Sequence, residues 1–325
     1  MKISIIIVSF NTRNLLGICL ETLFKHPGPH PLEVFVVDNH SADGSAEMVR
    51  QDFSQVQCIE NNMNLGFAAA NNQAYQKSTG DFVILLNPDA YVKKQTIRNA
   101  ITFMMNHPDC GLAGGRLVNP EGVLDPSARR FPNSLYKLFT LSGLSDKYPT
   151  SKILGKGDFK YFDHGSIMEV DWVPGTFTIY RRDMLDQTGL FDERFFVYYE
   201  ETDLCRKARQ LGWKIFFIPD AEVVHVGGAS AKTRKDLKFD KGGSQVLKFR
   251  MRSEYLYFRK NHGLFSVLAN AGVELGWHLL RYLMNHGAPN EIKQYKKMES
   301  ASILQHGTQA LRDTAFGRKA PPRPW

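Results

Sequence analysis

Four apolar, β-rich runs recur before residue 90, and each stops at a cluster of polar residues. Ile3–Phe10, Leu32–Asp38, Val56–Glu60 and Phe82–Leu86 read as strands, the first two of them buried. Helical signals separate them. Thr12–Lys25 spaces Leu15, Leu16, Cys19, Leu20 and Leu23 along one face, and Ser45–Phe53, Gly66–Lys77 and Gln95–Asn106 follow. Strand–helix alternation of this length requires right-handed crossovers and predicts an α/β fold, a mostly parallel Rossmann-like sheet flanked by helices. Functional residues are then expected at the carboxyl ends of the strands, beside helix N-termini.

The later chain is less regular. Gly111–Leu117 reads as a strand, Pro120–Ser134 as a loop with hairpin character, and residues 135–165 carry no clear period. Val170–Tyr180 is strand-like around Pro174-Gly175. Glu201–Leu211 reads as a helix, Lys214–Ile218 and Glu222–His225 as two separate strands, and the chain from about Gly242 as helical throughout. Cys19, Cys58, Cys110 and Cys205 form no CxxC pair and read as free thiols in a reducing compartment. Met1-Lys2 leads straight into the first strand, and no apolar stretch reaches the roughly 18 residues a membrane span needs, so a cytoplasmic protein is expected. The net charge of +8 is concentrated late: 18 Lys+Arg against 7 Asp+Glu lie between Ala231 and Trp325. Such a tail suits anionic lipid, a phosphorylated substrate or nucleic acid, and also a plain solvated surface.

The strand ends carry the candidate chemistry. Ser9 and Asn11 end the first strand, and Asp38 and Asn39 the second, side by side if the sheet is parallel. Asp38 can accept from a base or ribose hydroxyl; helix capping is the alternative at both ends. No GxGxxG is present, which argues against a redox dinucleotide. Asn61–Asn72 holds five asparagines, more than capping uses, and Gly66 with Ala68, Ala69 and Ala70 allows close approach of a helix N-terminus to a diphosphate. Asn87-Pro88-Asp89 ends the fourth strand with an amide and a carboxylate, suited to a hard cation or to a simple turn. Glu200, Glu201 and Asp203 lie at a helix start, where they can serve as general base or complement the helix dipole.

Taken in order, SIIIVSFN, VVDNHSADGS, NMNLGFAAANN, LLNPDA, VDWVPGT, GLFDERFF, YYEETDLC and EVVHVGG resemble the family 2 glycosyltransferases of GT-A fold over about residues 1–260, with a rhamnosyltransferase-like subgroup the nearest. The resemblance implies a catalytic domain over 1–245, with a nucleotide-binding half to about 110 and an acceptor half over 111–245, followed by a basic, mostly helical extension over 246–325. Ser9, Asn11, Asp38, Asn39, Asn64, Gly66, Asn87 and Asp89 would bind a dTDP- or UDP-sugar, and Asp89 with His225 a divalent cation (Mg²⁺ or Mn²⁺). Asn87 stands where the family usually has an Asp, which weakens the metal site. Glu201, with Glu200 and Asp203, falls on the family's Glu-Asp-x-Asp pattern, so an inverting transfer with Glu201 as base is implied. Trp172, Gly175 and Arg130 would contact a glycan or polyprenyl-diphosphate-linked acceptor in cell-surface polysaccharide assembly, with L-rhamnose from dTDP-rhamnose the implied transfer.

The Gln-x-x-Arg-Trp segment of processive synthases is absent, which favours transfer of one residue or few. The basic loop at 230–243 could close over the donor. Phe249–Arg259 alternates aromatics and cations, and Leu264–Met284 is apolar over much of its surface, as for a peripheral helix on the inner membrane face, a helix packed on the catalytic domain, or a homodimer contact. A nucleotidyltransferase would need a Gly-rich basic loop after the first strand, and Ser9-Phe10-Asn11-Thr12 is not one. No nucleic-acid-binding motif is present. A catalytically impaired nucleotide-sugar-binding regulator is the alternative that Asn87 and Glu201 leave open.

Overall fold

The computed structural model describes residues 1–227, 239–286 and 290–323. In chain order the elements are β1 (Ile3–Ser9), α1 (Arg13–Lys25), β2 (Leu32–Asp38), α2 (Ser45–Asp52), β3 (Gln57–Glu60), α3 (Phe67–Lys77), β4 (Phe82–Leu86), β5 (Ala90–Val92), α4 (Thr96–Asn106), β6 (Cys110–Val118) and β7 (Leu124–Asp125). They continue with α5 (Ser134–Leu141), α6 (Leu144–Lys147), β8 (Met168–Glu169), β9 (Phe177–Arg181), α7 (Arg182–Thr188), α8 (Glu200–Gln210), β10 (Lys214–His225), α9 (Phe239–His262), α10 (Leu264–Met284) and α11 (Glu291–Asp313). The sheet runs β3-β2-β1-β4-β9-β6-β10-β5, with β7 on β6 and β8 on β10.

The β3-β2-β1-β4 half is parallel throughout, as the alternation requires. Beyond it β9 enters antiparallel between β4 and β6, while β6 and β10 pair in parallel. Both faces of β1 are covered, which is why its sequence shows no polar alternation. Ile3, Ile5 and Ile7 pack with Leu16 and Leu20 of α1, Val49 of α2 and Ile101 of α4. Ile6 and Val8 face the other way, toward Ala68, Ala70 and Ala74 of α3 and Leu204 of α8. The small residues of α3 are thus spent on close packing against the sheet.

Three local readings need correction. The two strands expected over 214–225 are one strand, β10, with a register shift between Ile218 and Glu222. Residues 135–165 contain α5 and α6; α5 is rich in apolar residues, but none of them is fully buried, and Leu135 and Leu138 are exposed. The capping alternative fails for α1: Thr12 makes no side-chain cap bond and pairs with Ser9 instead.

Helices α9–α11 build a third core with Phe195, around Met251, Tyr255, Leu256, Val267 and Ala310. They are fastened to the body by buried charge. Lys137 of α5 lies 2.7 Å from Glu254 of α9 and 2.5 Å from Glu274 of α10. Arg250 closes the ring, 3.1 Å from Glu254 and 2.6 Å from Glu274. Burial opposes the charge on Glu274, but Lys137 and Arg250 outweigh it and lower its pKa to about 2. Among the described residues no helix is long and apolar enough to cross a membrane. The four cysteines are free.

Candidate active site

The parallel register sets Ser9 across from Asp38 at the carboxyl ends of β1 and β2. Ser9 is fully buried, with its hydroxyl 2.9 Å from that of Thr12. Asn11 adopts a left-handed φ of 52° and ties the two strand ends together: its backbone N–H donates to Ser41 Oγ and its side-chain oxygen accepts from Ala42 N–H. Asp38 accepts from Ser41 N–H through Oδ2, whereas its buried Oδ1 has no partner among the described residues. That oxygen is the open acceptor of the crevice.

The asparagine run has a structural account. Asn39, 2% exposed, donates to Asn64 Oδ1 and to the Gly66 carbonyl, and its Oδ1 accepts from Leu65 N–H and Asn61. Asn61 exchanges hydrogen bonds with Gln73, and Asn72 clasps the backbone of Phe191. Gly66, at φ 85°, has no room for a side chain, since a Cβ there would sit 2.5 Å from the Phe196 ring and carbonyl. Asn39, Asn64 and Gly66 therefore shape the crevice as scaffold, with Asp38 and Asn11 at its edge.

Asn87 and Asp89 follow β4. The antiparallel pairing of β10 with β5 sets His225 across from Ala90, so His225 reaches Asp89, with Nε2 3.6 Å from Oδ1. Its Nδ1 lies 3.6 Å from Asp125. Burial opposes a charge on this imidazole, but Asp125 and Asp89 outweigh it and raise its pKa to about 9. Asp125 was invisible in sequence because it sits on a two-residue strand inside an apparent loop. Among the described residues no group of three His, Cys, Asp or Glu is arranged to hold a metal ion. Two residues alone do not make a metal site, so a cation here would take most of its ligands from a diphosphate.

The acidic cluster opens α8. Tyr198 and Tyr199 precede it with consecutive positive φ values of 70° and 68°, a conformation costing about 1–2 kcal/mol per non-glycine residue. This turn aims Glu200 and Glu201 inward. Burial raises the pKa of both, and in Glu200 the neighbouring charge of Glu201 raises it further; the two carboxyls lie within hydrogen-bonding reach of each other. The Gly175 N–H donates to Glu201 and favours its charged form. Each carboxyl keeps a buried Oε2 without a protein donor. Burial and mutual proximity thus disfavour charge on both carboxyls, most strongly on Glu200. Asp203 is differently employed: Oδ2 lies 2.6 Å from Lys260 and Oδ1 accepts from Asn261, so it anchors α9 to α8.

Trp172 and Arg130 lie on neighbouring segments and line one cavity with Tyr199. The Trp172 indole donates to the Arg130 carbonyl at 2.8 Å, and an Arg129–Trp172 bridge joins the two segments. Arg130 lies over the Phe159 ring and 3.5 Å from Asp171, and Arg129 lies 3.8 Å from Asp158, so neither is a free solvated cation. The loop at 230–243 falls largely outside the described residues.

The model of "Glycosyl transferase family 2" matches residues 4–189. An N-acetylglucosaminyl-diphospho-decaprenol L-rhamnosyltransferase of Mycobacterium tuberculosis is 29% identical over 224 residues, covering 61% of this chain and 72% of its own. Rhamnosyltransferase WbbL of Escherichia coli K12 is 25% identical over 49% of this chain and 60% of its own. Among solved structures, a mannosyltransferase from Pyrobaculum calidifontis in complex with GDP-Man and Mn²⁺ covers 96% of this chain and 87% of its own at 16% identity, with a TM-score of 0.55, a likeness of fold. The chain belongs to glycosyl transferase family 2 and is a glycosyltransferase of GT-A fold.

Proposed function

We propose that this family 2 enzyme transfers a single sugar, with inversion, from a nucleotide sugar to a glycan or lipid-linked acceptor in cell-surface polysaccharide assembly, and that the sugar is L-rhamnose from dTDP-rhamnose. The observation that carries the chemistry is the buried Glu200–Glu201 pair, held by the left-handed turn at Tyr198–Tyr199 and by the Gly175 amide. An acceptor hydroxyl is a poor nucleophile, and a positioned carboxylate takes its proton as the bond to C1 forms. Glu201 accepts that proton while the bond from C1 to the nucleotide diphosphate breaks on the opposite face of the sugar. Burial keeps Glu201 basic, while a neutral Glu200 beside it favours its charged form.

Asp38 Oδ1 receives a base or ribose donor, and Ser9 and Asn11 fix the strand ends around it. Asn87 and Asp89 face the diphosphate. A Mg²⁺ or Mn²⁺ ion bound by Asp89, His225 and the diphosphate would supply neutralising charge for the leaving group. The likeness to rhamnosyltransferases supports the donor sugar, and the printed substrate of the mycobacterial relative supports a diphosphate-lipid acceptor.

The extension supports a place at the cytoplasmic membrane face. Phe265, Leu279, Leu283 and Met284 of α10 are exposed, as are Ile292, Tyr295 and Met298 of α11, beside Lys293, Lys296 and Lys297. An apolar face with a basic margin suits an anionic bilayer surface, and the same face is the one a homodimer would use.

The test is product formation with a panel of nucleotide sugars, with Mg²⁺ and Mn²⁺, on a diphosphate-linked N-acetylglucosamine acceptor. Transfer from dTDP-rhamnose with inverted stereochemistry is expected. Donor binding with no transfer from any panel member would favour the regulatory alternative.

A further inference from the structure

Where the extension meets the catalytic body there is a cavity of about 420 Å³, within the range of about 300–1,000 Å³ usual for small-molecule sites. Its walls come from α5, the Arg129–Asn133 segment, Trp172, Tyr199 and the inner faces of α9 and α10. One of its lining residues, Asn270 of α10, is fully buried, yet neither its Nδ2 nor its Oδ1 has a hydrogen-bond partner among the described residues. A buried amide left unpaired at both ends costs about 1–3 kcal/mol per group. An apolar residue would fill the site without that penalty. The amide is therefore better explained by a ligand than by packing.

The charges on the walls decide which kind of ligand. Lys137 and Arg250 are neutralised by Glu254 and Glu274 in the ring described above, and Arg129 and Arg130 face Asp158 and Asp171. A phosphate site needs uncompensated cations, and here each cation has its own carboxylate. What remains is an amide offering one donor and one acceptor side, carboxylate lone pairs, and the aromatic groups Trp172, Tyr136 and Tyr199. That combination fits a neutral ring bearing several hydroxyls and a C–H face.

The cavity also adjoins the reacting end. Tyr199 lines it and immediately precedes Glu200, and Trp172 lies three residues before Gly175, whose amide holds Glu201. We propose that this cavity is a subsite for a neutral sugar unit of the acceptor, and that Asn270 reads its hydroxyl pattern. The proposal rests on the transferase reading and adds to it where the acceptor lies and which residue selects it.

The experiment uses the full chain and ligand-observed saturation-transfer NMR with methyl glycosides of glucose, N-acetylglucosamine and rhamnose, each with and without UDP or dTDP, and with inorganic diphosphate as the charged probe. A glycoside signal is expected that persists when the nucleotide is bound. It should weaken by about tenfold or more in Asn270→Leu, because a site built around hydrogen bonds discriminates strongly when they are removed. A merely structural Asn270 predicts the opposite pattern: a higher Tm in Asn270→Leu and an unchanged glycoside signal. Thr140→Trp, an exposed lining position outside the charge ring, blocks the cavity independently and should also abolish the signal. The subsite is overturned if no glycoside binds the wild type, if diphosphate alone occupies the cavity, or if neither variant changes the signal. Nucleotide binding in the same samples separates this failure from failure of the transferase reading, which would remove the nucleotide response itself.

Discussion

The donor crevice and the acceptor side treat their polar groups in opposite ways. At the donor end Asn39, Asn61 and Asn72 are hydrogen-bonded by Asn64, Gln73, one another and backbone, so that Asp38 Oδ1 is the one buried side-chain atom there without a partner among the described residues. On the acceptor side Glu200, Glu201 and Asn270 each keep buried atoms with no protein partner. A saturated frame is already in its binding geometry and has little left to gain from a ligand. A wall of unpaired atoms is stabilised when a ligand completes it. On the proposed function, the first arrangement would recognise the nucleotide through shape, and the second would concentrate chemistry and selectivity where the acceptor arrives.

The sharpest way to break this contrast is Glu201→Gln. Removing the base while keeping its size should lower kcat by about 10²–10⁴-fold, with nucleotide affinity, measured by calorimetry, essentially unchanged. A comparable loss of nucleotide binding would mean that the two sides are not separable, and unchanged turnover would move the base to Glu200.

Lys137→Met tests whether the acceptor wall depends on the charge ring. It leaves Glu254 and Glu274 sharing Arg250 alone, and breaking a buried ion pair costs about 3–5 kcal/mol. A Tm drop of several degrees is expected, with the Asn-rich donor end still binding nucleotide below the new Tm. The same ring sets an acid limit. Glu274 has its pKa lowered from 4.5 to about 2 in the folded protein, so its contribution is fully present above pH 4.5 and is lost as pH falls toward 2. Thermal melts of Glu274→Gln should be flatter than wild type across that window.

The smallest effect concerns the outer face of the extension. Replacing Phe265 and Leu283, both exposed, with Ser should weaken co-sedimentation with anionic vesicles by about five- to tenfold without altering Tm. Unchanged sedimentation, or a shift in oligomeric state instead, would assign this face to a second copy of the chain.

The donor half was largely legible in the sequence because its information is local. Each strand signal ran directly into the polar residues it positions, as with Val36-Val37-Asp38-Asn39, and parallel pairing sets those ends side by side. The pair at Glu200–Glu201 was legible for the same reason, since both carboxylates open one helix. Counting the asparagines detected an unusual demand for amides but not that Asn39, Asn61 and Asn64 hydrogen-bond among themselves. The acceptor wall was not legible. Lys137, Arg250, Glu254, Asn270 and Glu274 lie on three helices far apart in sequence. No window in the sequence contains both a charge of that ring from α5 and one from α9. Asp125 escaped for a similar reason, because it meets His225 only after β7 folds back on β6.

The ring joining α5 to α9 and α10 also has a consequence in time. Lys137 is synthesised long before Glu254 and Glu274, and a ribosome adding about 5–20 residues per second opens a gap of roughly ten seconds between them. During that interval the ends of β1, β2 and β4 are already made, Asn72 and Gly66 still wait for Phe191 and Phe196, and the cavity wall lacks two of its sides. The last helices to emerge therefore close the cavity wall only after the sheet it abuts has been made.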